Sequence, residues 1–272
     1  MVAIDRADDP RLAPFAQIRE RDLVRQGDFI AEGVVVIDHL LRAREFAPVA
    51  FLVSRHRQEG FARRYAGIAM SAPVYVVEQP VMDTIAGFHV HRGILAQGRR
   101  SGAVRGAGAG AGALPDRGTI VVACGLSNHD NMGVIFRNAA AFGVRAIILD
   151  AQCCDPLYRK SLRVSVGTVL TVPFWRGGSA EEIVRDLLAA DYACMALTPA
   201  AEQRLDRWAA PARCALFFGS EGEGLPESVL SQCQGLSIAM SGGLDSLNVA
   251  AAAAIALHHV FTTERSAAPD EG

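Results

Sequence analysis

The chain has 272 residues, which at roughly 150 residues per domain suits one large domain or two modest ones. Half of the residues are hydrophobic and 21% are charged, excluding an intrinsically disordered chain, while 26 glycines without a three-residue period exclude collagen. The formal charge is −2 at pH 7, so no global field announces a nucleic-acid partner, although every cation but Lys160 is an arginine, the better fork for phosphate.

The N-terminus, MVAIDRADDP, carries acids where a secretory leader has a basic and then an apolar stretch. The longest purely apolar run, Val249 to Leu257, is nine residues, against the roughly 18 to 20 that cross a bilayer. A cytoplasmic protein with no membrane span is therefore expected. FIAEGVVVIDHLLRAREF reads as a helix of mixed apolar face, APVAFLVS as a short buried strand and PVYVVE as another, making a small α/β domain within residues 1–97. Arginine clusters at Arg55–Arg57, Arg63–Arg64 and Arg99–Arg100 read either as an anion-facing patch or as scattered solvated charge. Residues 98–118, GRRSGAVRGAGAGAGALPDRG, have no apolar periodicity and read as a flexible linker.

Beyond the linker, over 119–265, apolar runs alternate with helical segments. TIVVACGL leads into a helix from about Met132 to Phe142 closed by Gly143, then RAIILD and VLTVPFW. A helix near Ala180–Ala189 follows, then the strands YACMALT, ALFFGS and LSIAM, an Ala-rich helix from about Leu247, and a flexible tail over 266–272. This alternation predicts a mostly parallel sheet covered on both faces, with ligands beyond the carboxyl ends of the strands. The six cysteines, at 124, 153, 154, 194, 214 and 233, form no C-x-x-C pair and have no histidine at ligand spacing. They are expected as reduced thiols packed like small hydrophobes, with no metal site and no chemistry.

Three strand-to-loop junctions are candidates for function. In residues 126–143, LSNHDNMGVIFRNAAAFG, the polar residues Asn128, Asp130 and Asn131 suit a helix start, and Arg137 falls inside an otherwise apolar helix, where a buried guanidinium needs a partner. In residues 216–226, LFFGSEGEGLP, closely spaced glycines permit a loop whose backbone amides approach a ligand, and Glu221 suits capping amides or holding an arginine. In residues 236–259, Asp245 or Ser246 suits capping the Ala-rich helix, with Asn248 in its first turn. Within that third segment, SGGLDS (241–246) also matches the pyrophosphate loop of ATP pyrophosphatases. That fold needs most of its sheet downstream of the loop, where this chain has 272 − 246 = 26 residues.

Taken in order, NMGVIFRNAAAFG (131–143), LFFGSEGEGLP (216–226) and IAMSGGLDSLNVAAAAA (238–254) resemble the three signature motifs of the SpoU/TrmH family of RNA 2'-O-ribose methyltransferases, in the SPOUT class, and RKSLRVSVGTVLTVPF (159–174) fits its connecting segment. The N-terminal region is more loosely similar to the family's ribosomal-protein-like substrate-binding domain, which GFHVHRGILAQ (87–97) would end. The resemblance implies a C-terminal SPOUT domain with a deep trefoil knot, a homodimer, and S-adenosylmethionine bound mostly by backbone groups. Carried over by position, cofactor contacts fall on Leu197, Thr198, Gly219, Glu221, Gly222, Ile238, Met240, Leu247 and Asn248. The family's catalytic positions fall on Asn131, Arg137, Glu221, Ser246 and Asn248, each with the family's residue type, whereas Ser220 stands where many relatives have Asn. Asn131 and Glu221 would hold Arg137 and its loop. The implied substrate is a structured RNA, with rRNA ahead of tRNA; an ATP pyrophosphatase is the alternative.

Overall fold

The computed structural model describes residues 1–16, 20–68, 72–87, 89–101, 114–242 and 245–267, with side chains to residue 263. The chain divides into two compact units, Met1–Ala103 with Leu157–Thr171, and Val104–Pro156 with Val172–Gly272.

In the first unit β1 (Val2–Ala3), α1 (Glu20–Arg25), β2 (Asp28–Glu32), α2 (Val34–Arg42), β3 (Phe46–Ser54), α3 (Gln58–Arg64), β4 (Val74–Val77), α4 (Gln79–Ala86) and β5 (Ile94–Arg100) follow in order. The sheet order is β1-β4-β3-β5-β2, with β5 antiparallel to β2 and β3 and the other pairings parallel. Leu12, Phe15, Ile30, Leu52, Met82, Ile85 and Leu95 form one core. The stretch expected as a single helix is instead β2, then Gly33, then α2. Gly33 has φ +84°, a conformation that lets the chain leave the strand and enter the helix at once, which no β-carbon-bearing residue adopts cheaply.

Two expected boundaries shift. Gly98–Arg100, read as the start of the linker, complete β5 because the β5–β2 and β5–β3 ladders run through them; residues 102–113 lie outside the described ones. The expected 119–265 domain is interrupted, since α6 (Arg159–Val164) clusters with the first unit, where Arg159 meets Glu20 (3.3 Å) and Glu32 (4.0 Å). Most of the clustered arginines also have carboxylate partners: Arg55 with Glu78, Arg64 with Asp38, Arg99 with Asp28, and Arg100 with Glu45 (3.9 Å).

The second unit is built on β6 (Gly118–Ala123), α5 (His129–Ala141), β7 (Ala146–Leu149), β8 (Phe174–Arg176), α7 (Ala180–Ala189), β9 (Ala193–Leu197), β10 (Arg213–Phe218), α8 (Glu227–Leu230), β11 (Gln234–Leu236) and α9 (Val249–Ala267). Its sheet order is β11-β9-β10-β6-β7-β8, and every pairing is parallel, so the carboxyl ends of all six strands lie along one edge. Ile120, Val122, Trp175, Ile183, Leu187, Ala215 and Phe217 fill the core. The expected strand over 236–240 is shorter: β11 stops at Leu236, and Ser237 makes only an isolated bridge to Arg204. The expected strand at 169–175 likewise splits into a 3-10 turn over Thr168–Leu170 and the three residues of β8. No described helix is long and apolar enough to cross a membrane.

Candidate functional site

Strands β9, β10 and β11 end together, and the loops leaving them enclose a cavity of about 340 Å³. Leu197 and Thr198 leave β9; Gly219, Glu221 and Gly222 lie in the loop after β10; Ile238, Met240, Ser246 and Leu247 come from the return after β11. These nine line that cavity, whereas Asn248, also expected to contact the cofactor, is not among its lining residues. It sits beyond the carboxyl edge of a parallel sheet, where adjacent loops diverge and leave room.

The loop after β10 is closed on itself. Ser220 and Gly224 exchange backbone hydrogen bonds (3.1 and 3.2 Å), and a β-carbon on Gly219 would lie 2.1 Å from the Gly224 carbonyl carbon. Only glycine allows this close approach. The other side of the loop meets Gly125, whose β-carbon position lies 3.7 Å from Ser220 Cβ.

Three expected catalytic residues meet beside the cavity. Asn131, on the first turn of α5 and only 7% exposed, donates its side-chain amide to the Glu221 carboxylate. Asn248 donates to Asn131 Oδ1 and to Glu221 Oε1, both at 3.1 Å. Asn248 Oδ1 simultaneously accepts from the backbone amides of Ala250 (3.0 Å) and Ala251 (3.2 Å). Asn248, not Asp245 or Ser246, therefore caps α9, because only its side chain reaches the orphan amides of the first turn. One residue caps a helix and joins all three motifs.

Arg137 departs from expectation. It is exposed, not buried, and it makes no hydrogen bond or ion pair among the described residues. Asn131 and Glu221 therefore hold each other and do not hold Arg137. The reason is helical periodicity: six residues turn a helix by about 600°, leaving Arg137 roughly 240° round α5 from Asn131. α5 itself begins earlier than expected, at His129, because the Asn128 side chain accepts from the Asp130 amide at 2.8 Å.

The Ala-rich stretch packs within the chain. Ala250 and Ala253 are buried, Asn138 on α5 donates to the Ala250 carbonyl at 3.1 Å, and Phe142 stacks edgewise on His258. Ala251 and Ile255 remain exposed on the outer side.

Sequence reading passed over Asp150. Its carboxylate is 4% exposed and accepts from the amides of Gly125 (3.1 and 3.0 Å), Gln152 (3.1 Å) and Cys153 (2.9 Å), tying the end of β7 to the loop that leads into α5. The available signal was a carboxylate ending the apolar run RAIILD. Phe218, Leu225, Leu230 and Leu236 also line the cavity without being singled out, since their types do not distinguish wall from core.

The SGGLDS segment does not serve as a phosphate loop feeding a sheet: all six strands of this sheet precede it and only α9 follows. Gly243 and Leu244 of that segment lie outside the described residues. Among the described residues no cluster of three or more His, Cys, Asp or Glu is arranged to hold a metal ion.

Comparison with known proteins gives a consistent result. Residues 118–258 match the profile described as the SpoU rRNA Methylase family. An uncharacterized tRNA/rRNA methyltransferase of Mycobacterium bovis is 37% identical over 263 residues, covering 92% of this chain and 88% of that one. The 23S rRNA (guanosine-2'-O-)-methyltransferase RlmB of Salmonella typhi is 32% identical over 146 residues, 53% of this chain and 60% of its own. Among solved structures, an RNA 2'-O ribose methyltransferase superposes with TM-score 0.75 at 25% identity, over 97% of this chain and 100% of that one. An AdoMet-bound rRNA methyltransferase from Sinorhizobium meliloti shares the fold at TM-score 0.80 and 23% identity, over 98% of each chain. The profile match and the 37% identity along nearly the whole chain show that this chain belongs to the SpoU rRNA Methylase family.

Proposed function

We propose that this chain is an S-adenosylmethionine-dependent methyltransferase that methylates a ribose 2'-hydroxyl in a structured RNA, with rRNA favoured over tRNA. The observation that carries the reading is the convergence of the second and third motif loops, with the end of β9, on one cavity, and the hydrogen bonds that tie Asn131 of the first motif to Glu221 and Asn248 at its side. The wall suits the cofactor: glycine backbone and the aliphatic side chains of Leu197, Ile238, Met240 and Leu247 fit an adenine, while Glu221 and Glu223 offer negative charge to a sulfonium and an ammonium. When bound, the cofactor supplies an electrophilic methyl group.

The chain's own residues must then orient a poor nucleophile. The 2'-hydroxyl has to lose its proton as it attacks, and its developing charge has to be stabilised. A guanidinium stays protonated near neutral pH, so Arg137 acts by gripping the phosphate beside the target ribose in bidentate fashion, with the phosphate or a water taking the proton. Asn131, Glu221 and Asn248 fix the loop against the helix starts, and Ser246 positions the nucleotide or the cofactor. A homodimer belongs to the same proposal: an exposed Arg137 facing away from Asn131 completes the site of a second copy, across a surface that includes Ala251 and Ile255. The trefoil knot of the class is proposed as well, supported by the return after β11, where Ser237 bonds to Gln203 and Leu205 before Ile238 and Met240 reach the cavity. The first unit is proposed to contact RNA, and the protein to act in the cytoplasm.

The test pairs calorimetric titration with S-adenosylmethionine, and separately with ATP and magnesium, with RNA methylation by Arg137→Ala and Arg137→Lys. Micromolar S-adenosylmethionine binding, no ATP binding and loss of methyl transfer in both variants are expected. Binding of ATP alone, or methylation at the parent rate by either variant, overturns the reading. Because Arg137 is exposed and makes no hydrogen bond or ion pair among the described residues, its replacement should change stability by less than about 0.5 kcal/mol, separating lost chemistry from lost folding.

A further inference from the structure

Two cysteines that are distant in sequence lie side by side in the sheet. In the β11–β9 ladder Gln234 stands opposite Met195, Gly235 opposite Ala196 and Leu236 opposite Leu197. Cys194 precedes Met195 on β9, and Cys233, in the bend that leads into β11, precedes Gln234. Neighbouring strands run about 4.8 Å apart and paired parallel residues send their side chains to one face, so the register carried one step back would set the two within the roughly 4.4–6.8 Å Cα separation that a disulfide spans. Both side chains pack on the same core face, with Cys124, Tyr192 and Leu225.

The partners are unequal. Cys194 is 4% exposed, whereas Cys233 is only half-buried. Interaction with Cys194 holds the Cys233 thiol below its usual range, while interaction with Cys233 and burial push Cys194 up. Burial pushes Cys154 up to about 11 and raises Cys124 and Cys153 further. An attacking thiolate that is reachable, with a buried resolving thiol beside it, is what disulfide exchange requires.

We propose that Cys233 and Cys194 form a redox modification site, in which a small-molecule disulfide such as glutathione disulfide oxidises them to a reversible disulfide that clamps β11 to β9. The Cys233 thiolate attacks one sulfur of glutathione disulfide, forming a mixed disulfide and releasing one glutathione thiolate. Cys194 loses its proton to solvent and attacks Cys233 Sγ, expelling the second glutathione. Two protein thiols are oxidised and one glutathione disulfide is reduced. The clamp matters to the cavity because β11 is three residues long, and Leu236 and Leu197, at the ends of the two strands, both line the cavity.

The test uses the full reduced chain incubated with glutathione disulfide, then denatured, alkylated and mapped by mass spectrometry. Four of the six cysteines alkylated, a cross-linked Cys194–Cys233 peptide, and a rise in Tm of about 5 °C that dithiothreitol reverses are expected. Cys194→Ser should instead accumulate glutathione on Cys233. Six alkylated cysteines, a bridge to any other cysteine, a persistent glutathione adduct on Cys233 of the parent chain, or an unchanged Tm in the bridged form overturns the proposal. None of these readouts depends on methyl transfer.

Discussion

Replacing Gly219 with alanine tests how the cavity is built. The new β-carbon would sit 2.1 Å from the Gly224 carbonyl carbon and 2.3 Å from both the Gly224 oxygen and the Leu225 nitrogen, against the roughly 3.5 Å at which such atoms pack. All three are backbone atoms, so no side-chain rotation relieves the overlap and the loop must open. Opening it breaks the two hydrogen bonds between Ser220 and Gly224, at about 1 kcal/mol each. A ligand that needs the closed loop must then repay about 2 kcal/mol, which is roughly a 30-fold loss of affinity. Calorimetric titration of Gly219→Ala with S-adenosylmethionine measures this, with Gly222→Ala as the comparison, since its β-carbon meets nothing within 4 Å. Gly222→Ala should keep the parent Tm, while Gly219→Ala lowers both affinity and Tm. Parent-like affinity and Tm in Gly219→Ala would refute the reasoning.

Other changes reach different parts of the unit. Asn131→Asp sets a carboxylate against Glu221, so melting should show a loss of about 1–3 kcal/mol at pH 7; like charges raise the pKa of one of the pair, so the loss should shrink as pH falls and that group takes up a proton. A deficit that does not depend on pH contradicts this. Asp150→Ala strands the amides of Gly125, Gln152 and Cys153 and should cost about 3 kcal/mol by denaturant unfolding; a cost under about 1 kcal/mol removes Asp150 from the support of α5. In the first unit, the hydrogen bond from Arg64, joined by that from Tyr65, holds the Asp38 carboxyl below its usual value. A depressed carboxyl pKa stabilises the fold above the unfolded value near 4 and is lost as pH drops through the folded value. Asp38→Asn should therefore cost less than about 1 kcal/mol at pH 7, given the exposed Arg64, and the difference should vanish towards pH 2. Equal deficits at both pH values would refute it.

Much of the site is legible in the sequence because local chemistry writes it. Strand ends followed by glycine-rich or amide-rich loops mark where ligands bind on a parallel sheet, and the second and third motifs hold much of the cavity's lining. Helix α7 runs over Ala180–Ala189 as its periodicity and its Ser179–Glu182 capping box dictate.

What the tertiary structure alone decides are choices between competing local options. FIAEGVVVIDHLLRAREF reads locally as one helix, and the pairing of Asp28–Glu32 with β5 is what makes its first part a strand, so β2 and α2 separate at Gly33. Arg137 sits among apolar neighbours in sequence yet faces solvent, because a helix sorts residues by angle and not by adjacency. Asp245, Ser246 and Asn248 are all chemically able to cap α9, and only the path of the chain from β11 selects Asn248 and brings it to Asn131 and Glu221. Cys194 and Cys233 read as isolated hydrophobes because 39 positions separate them; the register of two parallel strands is what makes them neighbours. Local pattern determined most of the elements and the reactive groups this protein has, and long-range pairing, which no short stretch encodes, decided the remaining elements and which of those groups meet.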